Sequence, residues 1–417
     1  MTVSTRDPET APTGADAPMA AASARSCPNC GAPGPETFFS ATGVPTNSCL
    51  LIEDREAAIA FPRGDIDLRF CGACGFAYNA AFDPEKTKYS GKYEETQGFS
   101  PTFNAFHKKL AEELIARHGL HDKRVLEIGC GKGEFITMLC ELGPNRGVGY
   151  DPSYRPDRQT VDLGDRLDFV RDFFTEATVA PSSDFVCCKM TLEHIPRTLD
   201  FVRAVRRGVD GQDDAVIFFQ VPDFDRILEE AAFWDVYYEH CSYFSKGSLA
   251  RLFRAAGFEP SDVWTGYGEQ YLMIEAKPTG TAGALAPDTA DRADVEDLKR
   301  RVATFAEQVE AKRRAWSERL RAEKAAGRKT VIWGSGSKAV AFLTTVDLDG
   351  DEVEYVADIN PHRHGMYMAG TGQRIVGPDF VADYRPDTVV VMNPIYRDEI
   401  AADLAARGCS PEILTVD

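Results

Sequence analysis

No apolar run in the chain approaches the roughly 20 residues that a membrane-crossing helix needs, so no membrane span is expected. The N-terminus lacks the basic start and apolar core of a secretory leader. Residues 1–25 mix acids, prolines and alanines instead, and are read as a disordered tail. Positive charge is scarce: 47 Lys and Arg face 65 Asp and Glu, for a net charge of −18. A surface of that sign repels a phosphate backbone, so nucleic acid is not the expected partner. Residues 25–80 are Cys-rich yet carry no Lys/Arg cluster, which weighs against a nucleic-acid-reading module there. With no leader, a cytoplasmic location is expected, and the 11 cysteines are expected to be reduced or metal-bound.

What the chain does have is length and ordinary globular composition. Its 417 residues suffice for two or three domains, and 43% apolar with 27% charged residues suits a folded enzyme. In "FNAFHKKLAEELIARHGL", Phe103, Phe106, Leu110 and Leu114 recur at helical spacing. An alternation of strands and helices follows. "RVLEIGCGKGEF", "RGVGYDPS", "LDFVRDFF", "DFVCCKMT" and "AVIFFQVPDF" each contain a strand candidate. This rhythm predicts a doubly wound parallel sheet, with the last of the five as its fifth strand. After a linker-like "KPTGTAGALAPDTAD", Val295, Leu298, Val302, Phe305 and Val309 mark one long amphipathic helix. It either packs one face on its neighbours or pairs as a coiled coil. "KTVIWGSGSKAVAFL", "EVEYVADINP" and "DTVVVMNP" restart the rhythm, which implies a second, separate sheet.

Cys27-x-x-Cys30 and Cys71-x-x-Cys74 are two knuckles, each followed by glycine. Four thiolates suit tetrahedral zinc, and each pair lets one turn supply two ligands. Four sulfurs would close the coordination shell, so the expected role is structural; four free buried thiols are the alternative. Cys187 and Cys188 lie inside an apolar strand and are read as core.

Gly129, Gly131 and Gly133 follow one strand and open a helix, letting the backbone approach a ligand closely. Glu127 stands just before them, where a pyrophosphate would be repelled and a cationic ligand welcomed. This E-x-G-x-G-x-G resembles the first motif of class I S-adenosylmethionine (SAM) methyltransferases; a nicotinamide site is the alternative. The resemblance implies that Glu127 and the three glycines line the SAM site. It implies further that Asp151 accepts from the ribose hydroxyls, that Asp172 lies near the adenine amine, and that Met190 and "LEHIP" line the methyl-donor pocket. His194 in that stretch is either structural or catalytic.

"YYEHCSYFS" (237–245) follows the fifth strand. A four-Cys N-terminal module, a central SAM domain, Tyr-x-Glu-His before "SYFS" and a second Rossmann-like domain resemble one family together. These are the zinc-containing sugar C-methyltransferases, which act at C-3 of nucleotide-linked 4-keto-deoxysugars. The resemblance covers roughly residues 25 to 417. It implies that Tyr237, Glu239 and His240 line the sugar site, with His240 as base. Tyr237 would donate to the developing oxyanion, and Glu239 would orient His240 or bind a sugar hydroxyl. Tyr89 in "KYSGKY" is implied to reach the same pocket, with Tyr93 as its competitor. The partner would be a small nucleotide-linked keto-sugar, and the protein a monomer or homodimer. Where the family has a His-Gly-Gly-Ser-like turn, this chain has "YGEQYLMIEA", so Glu269 and Gln270 would meet a different hydroxyl pattern or an amine. "GSGSKA" (334–339) either holds a diphosphate, helped by Lys338, or is a structural turn.

The expected division is a tail (1–25), a zinc-binding module (26–85), a class I SAM methyltransferase domain (86–278), a linker with the long helix (279–327) and a C-terminal Rossmann-like α/β domain (328–417). The expected activity is methylation of a carbon next to a ketone through a histidine-generated enolate; O- or N-methylation is the alternative.

Overall fold

The computed structural model describes residues 26–175, 177–178, 181–285 and 291–417; the expected tail at 1–25 lies outside them. Both Cys knuckles are tight turns. Gly31 N donates to Cys27 O at 2.9 Å, and Gly75 N to Cys71 O at 2.8 Å. Gly31 and Gly75 adopt φ of 72° and 76°, which explains why glycine follows each pair. Between the knuckles, β1 (Glu36–Pro45) and β2 (Arg63–Phe70) form an antiparallel hairpin, and β3 (Ala77–Asn79) adds to β2. This long hairpin is the insertion that the Cys spacing calls for.

The helix Pro101–His118 starts at Ser100, whose hydroxyl accepts from Phe103 N, and ends at Gly119 in the left-handed region. Five parallel strands follow: β4 (Arg124–Ile128), β5 (Arg146–Tyr150), β6 (Leu167–Val170), β7 (Phe185–Lys189) and β8 (Val216–Pro222). The strand β9 (Ser242–Tyr243) leaves this sheet and pairs with β3, so it stitches the Cys-rich sheet to the central one. Then β10 (Phe258–Gly266) and β11 (Tyr271–Pro278) return antiparallel to complete seven strands in the order β10-β11-β8-β7-β4-β5-β6. The order reverses at β4, and a ligand crevice belongs at the carboxyl ends there.

The helix Arg292–Ala325 buries Val295, Leu298, Val302, Phe305 and Val309, the expected stripe. Phe305 is edge-on to Phe38 and Phe39 of β1, at 5.9 and 5.5 Å between ring centroids. The stripe is thus used within one chain. The C-terminal sheet joins β12 (Thr330–Trp333), β13 (Tyr355–Ala357), β14 (Arg374–Val376), β15 (Thr388–Val391) and β16 (Glu412–Thr415). All pairs are parallel, in the order β14-β13-β12-β15-β16. This is a second doubly wound α/β sheet, distinct from the first. Among the described residues no helix is long and apolar enough to cross a membrane.

Candidate active site

The Gly turn after β4 needs its glycines. Gly129 and Gly131 have φ of 71° and 56°. A Cβ on Gly129 would stand 2.0 Å from Thr191 Oγ1, and one on Gly131 2.7 Å from Glu95 Oε1. Asp151, just past β5, clips this turn: its Oδ2 accepts from Gly131 N at 2.8 Å, and its Oδ1 from Ser153 N at 2.7 Å. Glu127 is buried on β4 and accepts from Ile136 N at 2.9 Å. Burial pushes its carboxyl up to about 7, against the pull of Lys189. Met190, just past β7, is in the left-handed region at φ 50°, a conformation uncommon for any non-glycine residue. Asp172 is exposed and accepts from Phe173 N.

Glu127, Gly129, Gly131, Asp151, Asp172 and Met190 line one cavity of about 990 Å³. Gly133 does not; it meets the Phe169 ring, 2.5 Å from where its Cβ would be. The cavity continues past the Gly turn to Tyr89, His194, Tyr237 and His240, and on to Ser337, Asn360 and Asn393, which follow the carboxyl ends of β12, β13 and β15. A volume near the top of the usual range for one ligand, about 1,000 Å³, leaves room for a cofactor and a substrate together.

Within "YYEHCSYFS" the side chains divide. Tyr237 and His240 face the cavity, with the Tyr237 hydroxyl 2.7 Å from His240 Nε2. Tyr238 turns into the core, and its hydroxyl accepts from Asp83 N. Glu239 points away from the expected His240 pairing: its carboxylate accepts from Asn47 Nδ2 at 3.1 Å and Ser48 N at 2.8 Å, and from Ser48 Oγ. It therefore ties the segment to the connection between β1 and β2, whose Asn47 and Ser48 donors satisfy the carboxylate. Tyr89 and Tyr93 both reach the cavity; the Tyr89 hydroxyl lies 3.0 Å from His194 Nδ1. The His194 and His240 rings are edge to face at 4.9 Å. Burial lowers the basicity of both, His194 to about 4 and His240 well below its ordinary value, the latter with help from His194. Both imidazoles are neutral at neutral pH, the form in which an imidazole accepts a proton.

Lys189, His107 and Asn393 of this wall carry no sequence signal. Glu193 lines the cavity at 1% exposure, with its Oε1 3.9 Å from His240 Nε2. Only its place beside His194 in "LEHIP" hinted at it. Lys189 lies 2.9 Å from His107 Nε2, a pairing between a strand end and the helix Pro101–His118. From the C-terminal sheet, Asn393 accepts from Gln270 Nε2 at 2.8 Å. Glu269 is exposed in the turn and does not line the cavity. Lys338 is ion-paired to Asp235; although burial pushes Asp235 up, Lys338 and Arg226 together hold it at about 2.

The four knuckle sulfurs lie within 4.8 Å of one another, with Cys27–Cys74 at 3.7 Å and Cys30–Cys71 at 3.6 Å. Zinc–sulfur bonds of about 2.3 Å in a tetrahedron put sulfurs about 3.8 Å apart. The cluster could hold zinc.

Residues 103–263 match the model of a methyltransferase domain, and residues 288–409 that of a C-methyltransferase C-terminal domain. The C-methyltransferase NovU of Streptomyces niveus is 27% identical over 311 residues, 70% of this chain and 72% of that protein. A ubiquinone biosynthesis O-methyltransferase of Yersinia enterocolitica is 30% identical over 106 residues, 24% of this chain and 43% of that one. Among solved structures, a Burkholderia thailandensis 1,6-didemethyltoxoflavin-N1-methyltransferase superposes with a TM-score of 0.34 at 21% identity, over 42% of this chain and 78% of its own. The methyltransferase-domain match, the C-methyltransferase C-terminal-domain match and the C-methyltransferase relative support a SAM-dependent C-methyltransferase enzyme.

Proposed function

We propose that the enzyme methylates the carbon next to a ketone, C-3 of a nucleotide-linked 4-keto-deoxysugar, with His240 as the base. In this reading SAM lies along the Gly turn, Asp151 and Met190, and supplies a sulfonium methyl for a carbon nucleophile. The single observation that supports it is spatial: the Gly turn and the Tyr237–His240 pair wall one cavity. A carbon becomes nucleophilic only after losing a proton, and a neighbouring ketone makes that loss feasible by taking the charge as an enolate. His240, neutral and facing the cavity, accepts that proton. Tyr237 then releases the ring and donates its hydroxyl hydrogen to the enolate oxygen. Tyr89 and His194 close the same wall and hold the sugar against it. Glu239 fixes the segment through Ser48 and Asn47, a positioning role.

The zinc-binding module (26–85), methyltransferase domain (86–278), linker and long helix (279–327) and C-terminal domain (328–417) remain the division we propose, in a cytoplasmic enzyme. Structural zinc at Cys27, Cys30, Cys71 and Cys74 fits the sulfur spacing. The C-terminal sheet, which reaches the cavity through Ser337, Asn360 and Asn393, would hold the nucleotide end of the substrate.

The experiment is a turnover with a 4-keto-deoxysugar nucleotide deuterated at C-3. The expected product has gained one methyl group on carbon and lost the deuterium, and His240→Asn is expected to lose both events. A product that keeps its deuterium, with the methyl on oxygen or nitrogen, overturns carbon methylation.

A further inference from the structure

We propose that Glu193 is a positioning residue that provides the counter-carboxylate for His240, so that the imidazolium formed by proton abstraction is paired inside the protein. The proposal rests on the C-methylation reading above.

The argument starts from unmet hydrogen-bonding capacity. Glu193 comes from the short helical turn Leu192–His194 just after β7. Its backbone carbonyl accepts from Cys241 N at 2.9 Å, which locks the turn to the residue after His240. Its side chain is buried, and neither carboxyl oxygen has a hydrogen-bond partner. Leaving such a group unmet is costly, and proteins rarely retain one without use for it. The nearest basic atom is His240 Nε2, 3.9 Å from Oε1. One atom from each of Glu193, His194 and His240 lies within 4.8 Å of the others.

The other carboxylates nearby are already committed. Glu239 is held by Asn47 and Ser48, and Asp235 by Arg226 and Lys338. A buried imidazolium without a partner would raise the barrier, because a charge in a dry site is disfavoured unless paired. The step balances as follows. The substrate C–H bond breaks, its electron pair stays on carbon and spreads to the ketone oxygen, and the proton goes to His240 Nε2. Tyr237 leaves Nε2 for the ketone oxygen. Glu193, as carboxylate, moves onto the new N–H and accepts its hydrogen bond.

The active form therefore needs Glu193 ionised. The groups acting around it are the His194 and His240 rings, the thiols of Cys188 and Cys241, and the hydroxyls of Tyr89, Tyr237 and Tyr271. None is a cation at neutral pH, and burial pushes the carboxyl up to about 8. The rate should rise with pH through that value. His240, whose own basicity is depressed well below its ordinary value, cannot produce such a limb.

The test uses the full enzyme with bound S-adenosylhomocysteine and follows loss of substrate C-3 deuterium to water from pH 6 to 9. Wild type, Glu193→Gln and Glu193→Asp are compared, with circular dichroism confirming the fold. Glu193→Gln is expected to slow the loss about 100-fold, to leave KM within about threefold, and to abolish the limb. Glu193→Asp is expected to keep the limb at a reduced rate, which a merely structural role would not require. A Glu193→Gln enzyme with the wild-type limb and a rate within about threefold overturns the proposal. If Glu193→Gln does not fold, loss of the limb in a folded Glu193→Asp overturns it equally. Wild type that never releases deuterium overturns the C-methylation reading instead, so the two failures are distinct.

Discussion

Individual ionisable side chains set how this protein should respond to pH. Glu127 and Glu193 are buried, and desolvation pushes their carboxyls up to about 7 and about 8. In the unfolded chain both would titrate near about 4.3. The folded state thus binds more protons than the unfolded state between those limits. Their contribution to stability is full below the unfolded value and is lost as pH rises through the folded values. His107, His194 and His240 behave oppositely: burial lowers each of them, so their contribution is present above about 6.5 and lost as pH falls. Above pH 6.5 the histidine contribution changes little while the carboxylates ionise. We therefore expect ionisation of these two carboxyls to cost the ligand-free enzyme about 2–3 kcal/mol of unfolding free energy between pH 6.5 and 8. Urea unfolding at the two pH values measures this, and Glu193→Gln should remove roughly two thirds of that loss. A flat or rising profile would show that these carboxyls are better solvated than their burial implies. Of these residues the sequence exposed Glu127 and His240 through their motifs. Glu193 was placed at the pocket only as part of "LEHIP"; its role was hidden because its significance is its isolation from donors, which no linear pattern records.

Secondary-structure elements carry the next layer, and the long helix Arg292–Ala325 is the clearest case. Phe305 is wholly buried and meets Phe38 and Phe39 on β1. Replacing Phe305 with Ala should cost about 3–5 kcal/mol, from lost burial plus the cavity left behind. The urea midpoint should fall with an unchanged slope. If the cost is below about 1 kcal/mol, the helix is not seated on β1 as described. The stripe Val295, Leu298, Val302, Phe305 and Val309 was readable in advance, because a period of 3.6 is written into that part of the chain, whereas the buried Leu320 further along was not marked. The seven-stranded sheet was readable for its five parallel strands, since Gly turns and apolar runs mark them. The brief β9 was not, because two residues carry no periodicity and their pairing with Ala77 and Tyr78 spans over 160 positions. The redirection of Glu239 follows from the same blind spot: Asn47 and Ser48 lie 192 and 191 positions away in the chain, and only the hairpin's path brings their donors to it.

At the scale of the whole molecule, the Cys cluster sits between the Cys-rich sheet, the core of the central sheet and the start of the long helix. Cys71 and Cys74 close the turn between β2 and β3, and β3 pairs with β9, two residues after His240. Arg251, on the helix Lys246–Ala255 of the central domain, donates to Cys74 O at 3.1 Å and pairs with Asp294 of the long helix at 2.8 Å. Loosening the knuckles would therefore be felt at β9 and at the segment that carries Tyr237 and His240. Four thiolates released from a metal would also repel one another or take up protons, and either outcome weakens the turn. If zinc occupies this cluster, one equivalent per chain should be found in purified enzyme. Removing it with a chelator should lower the melting temperature by about 10 °C or more and abolish methyl transfer, because structural zinc contributes folding free energy directly. Cys27→Ser should reproduce the loss, and cobalt substitution should give the thiolate-to-metal absorption of a four-sulfur tetrahedral site. A metal-free enzyme with unchanged melting and turnover would leave four buried thiols, and the coupling of the knuckles to the catalytic wall would then have to rest on the β3–β9 pairing alone.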